Sequence, residues 1–309
     1  IWPLTAKQRR PLAFAVHATI LLNVGLGYYE YISGHRLVPL TLGDVLVIGE
    51  WRSSALLGHP LTASGVVGAY VIALVLRPAL CPSVLVRLPL VAFCLGSLMV
   101  FGGRTALVTV LAVIGGKLTL DVLRLLRGAR TSLPAAIGAI CLAFAAAAAI
   151  FAALDLGAFD KMLLRFSSDK GSALARLATF ELLSRFDWHE LVLGPSPARV
   201  NALQTQLGLA YGIENFWVSC IVQFGIVHTV LLTIGLLGFF AEILRRASPA
   251  AWAVVLLILM IAASSVSFSS KNIQLAQFVV LIALLLPRER PQAAGANDPL
   301  RRRPAPRPF

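Results

Sequence analysis

The 309-residue chain is 58% apolar and only 13% charged, and its mean hydropathy is +0.82. Soluble domains carry about a quarter charged residues, so this composition excludes an ordinary soluble protein. The net charge of +13 would suggest a nucleic-acid partner if the protein were soluble. In a membrane protein, an excess of basic residues instead indicates which loops face the cytoplasm. We therefore expect the lipid bilayer as a partner and no nucleic acid.

Eight apolar segments are long enough to cross a hydrocarbon core of about 30 Å as helices. They predict an all-α fold, a polytopic transmembrane helical bundle over residues 1–286, with spans at 11–29, 62–76, 88–103, 105–123, 134–154, 216–241, 250–267 and 272–286. Residues 287–309 are rich in Pro, Arg and Ala and lack the apolar content to fold. This segment predicts a disordered basic cytoplasmic tail.

The distribution of Lys and Arg predicts how these spans are oriented. With a cytoplasmic N-terminus, 17 of the 27 basic residues but only four of the 14 acidic residues fall on the cytoplasmic side. This asymmetry follows the positive-inside rule. Two longer loops then face outward, at residues 30–61 and 155–213. The second is predicted to form a large periplasmic cap over the bundle.

The capping loop contains one predicted amphipathic helix, at residues 171–190. Its leucines recur at helical spacing, and Glu181 and Arg185 form an i, i+4 pair. Two prolines around Ser196 follow this segment and end the helix. The pattern favours a compact folded loop over a free linker.

Arginines at the outward boundary are the first candidates for chemistry, because charges there cost free energy. Arg104 follows Gly102 and Gly103, a turn that is predicted to leave backbone N–H groups free to meet an anion. On the same predicted side lie Arg52, Arg165 and Arg176. A guanidinium group binds two phosphate oxygens side by side, so these arginines predict a phosphate or pyrophosphate site. Each could instead snorkel at a helix end or pair with a nearby acidic residue.

Glu214 and Asn215 open the longest span, and Glu214 is the candidate for chemistry. A helix dipole favours the ionised form of a carboxylate at its N-terminus, and such a carboxylate could accept the proton of an attacking sugar hydroxyl. The alternative is that Glu214 only caps the helix. His59 is interpreted as structural. No spacing of His, Cys or carboxylates predicts a metal, and no phosphate-binding loop predicts a nucleotide cofactor.

Several short motifs follow one another on the predicted outward side. They are R-x-x-x-x-x-G-H-P at 52–60, G-G-R-T-A at 102–106, S-A-L-A-R-L at 172–177, L-G-P at 193–195, and G-I-E-N-F-W followed by I-V-Q-F-G at 212–225. In these motifs and their order, the chain resembles the O-antigen ligase and O-antigen polymerase superfamily, over nearly its whole length. Because members of that family have about ten or more spans, we also expect spans ahead of residue 1.

The resemblance implies a metal-independent glycosyltransferase of the bacterial inner membrane, active at the periplasmic face. It implies transfer of a glycan from an undecaprenyl pyrophosphate-linked oligosaccharide to a hydroxyl of an acceptor glycan, with polysaccharide export machinery as a further partner. Arg52, Arg104 and Arg176 resemble the family arginines that hold the pyrophosphate, and Glu214, helped by Asn215, resembles the base. Many relatives have Asn where Leu61 stands here.

Three alternatives stay open at this point. O-antigen ligases transfer the same kind of donor to the lipid A core, but they usually have His at the position of Glu214, which favours a polymerase. A transporter or flippase of polysaccharide precursors would need ionisable groups near the middle of its spans. The spans carry few such groups apart from Lys117 and Asp121 near the cytoplasmic end. A non-catalytic membrane partner would keep its function after Arg104 and Glu214 were both replaced by Ala.

Overall fold

A computed structural model describes residues 4–39, 41–42, 45–46, 52–127, 172–209, 212–264 and 273–288. This part of the chain is helical apart from a small antiparallel hairpin, in which β1 (Thr41–Leu42) pairs with β2 (Val45–Leu46). The helices are α1 Ala6–Ser33, α2 Pro60–Leu76, α3 Val84–Phe101, α4 Arg104–Leu126, α5 Ser172–Ser184, α6 Trp188–Leu193, α7 Pro197–Gln206, α8 Phe216–Arg246, α9 Ala251–Ser264 and α10 Gln274–Leu285. Two short 3₁₀ turns, Ala55–Leu57 and Pro78–Leu80, flank α2.

Seven of the eight predicted spans coincide with a described helix, namely α1 to α4 and α8 to α10. The eighth, residues 134–154, lies outside the described residues. Four helices are long and apolar enough to cross a membrane, at Lys7–Ser33, Val84–Phe101, Arg104–Leu126 and Phe216–Arg246. Helices α2, α9 and α10 are shorter and also apolar. The described chain is therefore all-helical in class, with four candidate membrane-spanning helices.

Large apolar side chains cover the outer faces of the long helices. Leu231 and Ile234 on α8 and Leu118 and Leu120 on α4 are each more than half exposed. Leaving such area in water forgoes about 25 cal/mol for every Å² that could be buried. Lipid, or further apolar helices, would cover these faces without that loss. The exposed faces thus agree with the prediction of a membrane protein.

Local capping residues explain where α1 begins and ends. The N–H of Gln8 donates to Thr5 Oγ1 (3.3 Å), and the N–H of Thr5 donates to Gln8 Oε1 (3.0 Å), which completes a capping box. The helix ends at Gly34, whose φ of 73° is readily adopted by glycine. Because α1 continues through Glu30, the first predicted outward loop begins later than residue 30.

Helix α2 lies at the centre of the larger hydrophobic core. It packs against α1, α3, α4, α9 and α10, and every residue from Thr62 to Leu74 is buried. Tyr70, Phe101 and Phe278 are the largest fully buried side chains of this core. A helix enclosed in this way fixes the ends of its neighbours relative to one another.

A second hydrophobic core joins α5, α6 and α7 to the beginning of α8. We call residues 172–209 and 212–224 the helical subdomain. Its buried side chains are Leu182, Phe186, Val200, Leu209, Ile213, Val218 and Val222. The prediction of one continuous helix at 171–190 is wrong, because Asp187 and Glu190 form a capping box that starts a separate helix, α6. The predicted pairing of Glu181 with Arg185 is confirmed, at 2.5 Å.

Helix α8 is interrupted at Gly225, where φ is 83° and ψ is 167°. The chain of the helical subdomain lies directly against this break. A Cβ on Gly225 would be 2.5 Å from the carbonyl carbon of Leu193 and 2.6 Å from the nitrogen of Gly194. The segment 226–246 that follows is about 30 Å long, which is enough for a hydrocarbon core. The predicted span 216–241 therefore consists of two segments, because residues 216–224 pack with the helical subdomain. The helix also continues beyond the predicted end, to Arg246.

The predicted tail begins with an ordered contact. Ala247 and Pro287 form an isolated β-bridge, and the N–H of Arg288 donates to the carbonyl oxygen of Arg246 at 3.4 Å. Residues 287 and 288 are thus tied to the end of α8. Residues 289–309 lie outside the described residues.

Candidate functional site

Polar side chains gather at the end of the bundle where α1, α3 and α9 finish and where α2, α4, α8 and α10 begin. We call it the polar end. Hydrogen bonds between elements define it: the N–H of Ser53 donates to the carbonyl oxygen of Val100 (3.3 Å), and the hydroxyls of Thr105 and Ser264 are 2.8 Å apart. Four of the six residues predicted for the site, Arg52, Arg104, Glu214 and Asn215, lie at this end.

The turn between α3 and α4 brings Arg104 to the polar end. Gly102 has a φ of 70°, and its N–H donates to the carbonyl oxygen of Met99 at 3.0 Å. The N–H of Gly103 donates to the carbonyl oxygen of Leu98 at 3.3 Å. The prediction that these glycine N–H groups are free for an anion is therefore wrong, because they satisfy carbonyl groups at the C-terminus of α3.

Gly103 is needed for a second reason, the close approach of α2. A Cβ at this position would lie 2.0 Å from Ser64 Oγ, which is far inside van der Waals contact. The half-buried Arg104 follows as the first residue of α4. The predicted tight turn is thus confirmed, and it serves to seat α4 against α2.

Helix α9 connects the two halves of the predicted site. Thr105, next to Arg104, meets Ser264 at 2.8 Å. The preceding residue of α9, Ala263, accepts a hydrogen bond from Asn215 Nδ2 at 3.2 Å. The beginnings of α4 and α8 are therefore held at two consecutive residues of one helix end.

Asn215 is the N-cap of α8. Its Oδ1 accepts the N–H of Val218 at 3.1 Å, while its Nδ2 binds Ala263. The capping role considered for Glu214 at the sequence level thus belongs to Asn215. Glu214 precedes the cap and is half-buried at the polar end.

A buried carboxylate holds the segment that carries Arg52. Glu30, near the end of α1, is fully buried. Its Oε2 accepts from Ser53 Oγ (2.5 Å), from the N–H of Ser54 (2.9 Å) and from the N–H of Ala55 (3.0 Å). A carboxylate that accepts several hydrogen bonds is a strong local anchor. Arg52 is half-buried and lies directly before this anchored segment.

His59 is the N-cap of α2, so its interpretation as a structural residue is confirmed. Its Nδ1 accepts the N–H of Leu61 at 3.2 Å, and Pro60 occupies the first helical position. Burial, and after it the nearby positive charge of Arg52, holds the pKa of His59 below its ordinary value.

The other two predicted arginines lie in the part of the chain that follows α4. Arg176 belongs to α5 of the helical subdomain. Arg165 lies outside the described residues. Among the described residues, no three His, Cys, Asp or Glu side chains form a group that could hold a metal ion.

Sequence reasoning missed the contacts that assemble the polar end. The pairing of Thr105 with Ser264, the bond from Asn215 to Ala263 and the Glu30 anchor all join positions far apart in the chain. Glu30 had a local signal, since a carboxylate at the end of an apolar helix is costly unless its oxygens are satisfied.

Comparison with known proteins adds no further assignment. No family model, no curated protein and no solved structure matches the chain.

Proposed function

We propose that the protein is a membrane glycosyltransferase of the polysaccharide polymerase type. It transfers a glycan from an undecaprenyl pyrophosphate-linked donor to a hydroxyl of an acceptor glycan, without a metal. The observation that carries the proposal is the pair of hydrogen bonds to consecutive residues of α9, Ser264 to Thr105 and Ala263 to Asn215. These bonds hold Arg104 and Glu214 around one helix end.

The chemistry needs a cation and a base on opposite sides of one sugar carbon. In the proposed reaction, the acceptor oxygen forms a bond to the anomeric carbon while the bond from that carbon to the pyrophosphate oxygen breaks. The pyrophosphate leaves on its lipid carrier, and the acceptor proton passes to the carboxylate of Glu214. Arg104 stabilises the charge that develops on the leaving group. A single in-line displacement inverts the anomeric configuration.

Arg52 is proposed as a second contact to the pyrophosphate. The Glu30 anchor supports this role, because it immobilises residues 53–55 next to Arg52. Holding the main chain beside Arg52 before the substrate arrives lowers the entropy that is lost on binding. Arg165 and Arg176 stay predicted pyrophosphate ligands.

The membrane arrangement is part of the proposal. We infer eight spans in this chain, a polar end that faces the periplasm of the bacterial inner membrane, and a helical subdomain that caps it. The excess of Lys and Arg toward the opposite end supports this orientation. The close contact of Gly194 with Gly225 supports a cap that sits on the bundle, because it fixes the helical subdomain to α8.

Complementation of a strain that lacks the protein tests the proposal. Glu214→Gln and Arg104→Ala should abolish long polysaccharide chains on a gel, with single lipid-linked repeat units accumulating and membrane abundance unchanged. Glu181→Gln and Arg185→Ala are matched controls, because this pair is exposed on α5 and just beyond its end. Unchanged chain lengths in both site variants would contradict the enzyme. Normal polymer that is no longer attached to the lipid A core would instead assign a ligase.

The break in α8 is the one observation that favours a transporter, since discontinuous helices form substrate sites in transporters. However, the main chain of Leu193 and Gly194 fills the space beside Gly225. A break closed by backbone atoms leaves no room for a substrate there. If the Glu214→Gln and Arg104→Ala variants lost uptake of the precursor into vesicles but kept polymerisation in a reconstituted reaction, a transporter would be favoured over the enzyme.

A further inference from the structure

Helix α5 of the helical subdomain is apolar on two sides. On one side, Leu182 is fully buried in the core of the subdomain. On the other side, Leu174, Leu177 and Phe180 are each more than half exposed. Positions three apart are neighbours on a helix, so these side chains form one stripe. A surface helix ordinarily presents polar residues away from its core. The stripe therefore indicates that α5 contacts a second apolar environment, outside the subdomain.

Helix α6 adds two more large apolar side chains. Trp188 at its first position and Leu193 at its last position are each more than half exposed. Trp is typical of the interface between lipid and water. Helix α7 of the same subdomain instead exposes polar side chains, among them Asn201 and Thr205. The large exposed apolar side chains of these three helices are thus found on α5 and α6.

Contacts with α8 fix the height of the two helices relative to the membrane-spanning segments. Both α5 and α6 pack against α8, and a Cβ on Gly225 would lie 2.5 Å from the carbonyl carbon of Leu193. Residues 226–246, which follow directly, form the part of α8 that is long enough to cross a hydrocarbon core. Phe224 and Val227 are exposed on either side of Gly225. Leu193 therefore lies at the edge of the apolar belt of the spans, where the two apolar surfaces adjoin.

Charged side chains of the helical subdomain are paired with one another. Glu181 Oε1 meets Arg185 Nη2 at 2.5 Å, and Glu190 pairs with Arg199. Arg199 also lies over the ring of Phe186, with its guanidinium carbon 5.5 Å from the ring centroid. Two neutral pairs give no net attraction to anionic headgroups. Contact with a membrane would therefore depend on apolar area, and a zwitterionic lipid is a sufficient partner.

We propose that α5 and α6 lie on the surface of the bilayer at the polar end, with their exposed apolar side chains between the lipid headgroups and the acyl chains. Helices in this position bury an apolar face about 5–10 Å deep. The lipid covers leucine and aromatic area that would otherwise stay in water. Together with the contact at Gly225, it gives the subdomain two attachments, one to α8 and one to lipid. The inference requires no catalytic role for Arg104 or Glu214, so it stands apart from the proposed transfer reaction.

Quenching of tryptophan emission by brominated lipid tests the proposal. The 309-residue chain is placed in phosphatidylcholine vesicles, with or without bromine on the upper acyl carbons. Subtracting the emission of Trp188→Phe isolates Trp188 from the other four tryptophans. Trp188 should lose emission in brominated lipid, because bromine quenches only at close range. Phe180→Trp, made in the Trp188→Phe chain, should lose emission in the same way and reports on α5. Thr205→Trp in that chain is the matched control on α7 and should keep its emission.

Several outcomes would overturn the proposal. Unquenched emission at the wavelength of tryptophan in water, at positions 180 and 188, would place both helices away from the bilayer. Unquenched emission at a shorter wavelength would show that protein, such as a second copy of the chain, covers them instead of lipid. Equal quenching of Thr205→Trp would contradict a contact that is limited to α5 and α6. Quenching should also be the same at low salt and at about 1 M salt, since screening weakens only interactions between charges. Its loss at high salt would contradict an apolar attachment.

Discussion

Asn215 and Ala263 are joined by a hydrogen bond of 3.2 Å from the side-chain Nδ2 to the main-chain oxygen. The same side chain caps α8 through its Oδ1. One amide group therefore both starts α8 and fixes that start to the end of α9. Because Ser264 also meets Thr105, the placement of Glu214 relative to Arg104 depends on this residue.

Two substitutions of Asn215 distinguish its capping of α8 from its bond to Ala263 at the end of α9. Asn215→Ala loses both functions and should lower the free energy of unfolding by about 1–2 kcal/mol, together with polymer length. Asn215→Asp keeps an acceptor for the cap but cannot donate to Ala263, so it should shorten the polymer with little loss of stability. Thermal unfolding and a polysaccharide gel measure the two effects. Full-length polymer from Asn215→Asp would show that the tie to α9 is dispensable for activity.

Side chains at the break in α8 should be strongly destabilising. Gly225→Ala places a Cβ within 2.6 Å of the main chain of residues 192–194 and also requires a residue with φ near 83°. We expect a loss of about 2 kcal/mol or more in the free energy of unfolding, because neither backbone can yield without moving the helical subdomain.

Gly238→Ala is the control for this break, since a Cβ there meets nothing within 4 Å. It lies in a regular part of α8, so it should leave stability unchanged or raise it by up to about 1 kcal/mol. Melting temperatures of the two variants in one detergent compare them. Equal melting temperatures would mean that the contact of Gly194 with Gly225 does not contribute to the fold.

The Glu30 anchor should be one of the most sensitive polar positions. Glu30→Gln replaces a carboxylate that accepts from Ser53 Oγ and from two backbone N–H groups at its Oε2. The other carboxylate oxygen, Oε1, accepts the N–H of Leu37 at 2.7 Å. An amide has one acceptor oxygen, so either this N–H or the donors at Oε2 would face an NH₂ group and lose their partner, at a cost of about 3 kcal/mol. Thermal unfolding measures this loss. Glu181→Gln, an exposed acid, should change stability by about 0.5 kcal/mol or less.

His59 should make stability depend on pH. Its folded pKa lies below the ordinary value of 6.5, so as pH falls below 6.5 the unfolded chain binds a proton that the folded protein does not yet accept. Stability is therefore full above the ordinary pKa and declines as pH falls from it toward the folded pKa. Protonation of Nδ1 would also abolish its bond to the Leu61 N–H.

His59→Asn keeps a capping acceptor and removes this titration. The variant should lose less melting temperature than the original protein when pH falls from about 7.5 to about 5.5. His189→Asn, at an exposed position on α6, serves as the control. The same decline in the original protein and in His59→Asn would rule out His59 as its source.

Much of the bundle could be predicted because helix formation in apolar segments is a local property. Seven predicted spans match described helices, and the turn at Gly102 and Gly103 was placed correctly. The predicted role of that turn in anion binding was wrong, because its N–H groups donate to carbonyl oxygens of α3. Local sequence marks a turn, but the partners of its N–H groups depend on how the chain closes around it.

Sequence alone determined the all-helical class, the apolar segments and the concentration of polar residues at helix ends, because each follows from the cost of placing polar groups in an apolar environment. Only the tertiary structure decided which of those residues meet. Ser264 faces Thr105, 159 positions away. Gly194 has no side chain, which lets the main chain there pack against the break at Gly225. Such contacts depend on packing around α2, and no periodicity within a segment encodes the partner of a residue from a distant segment.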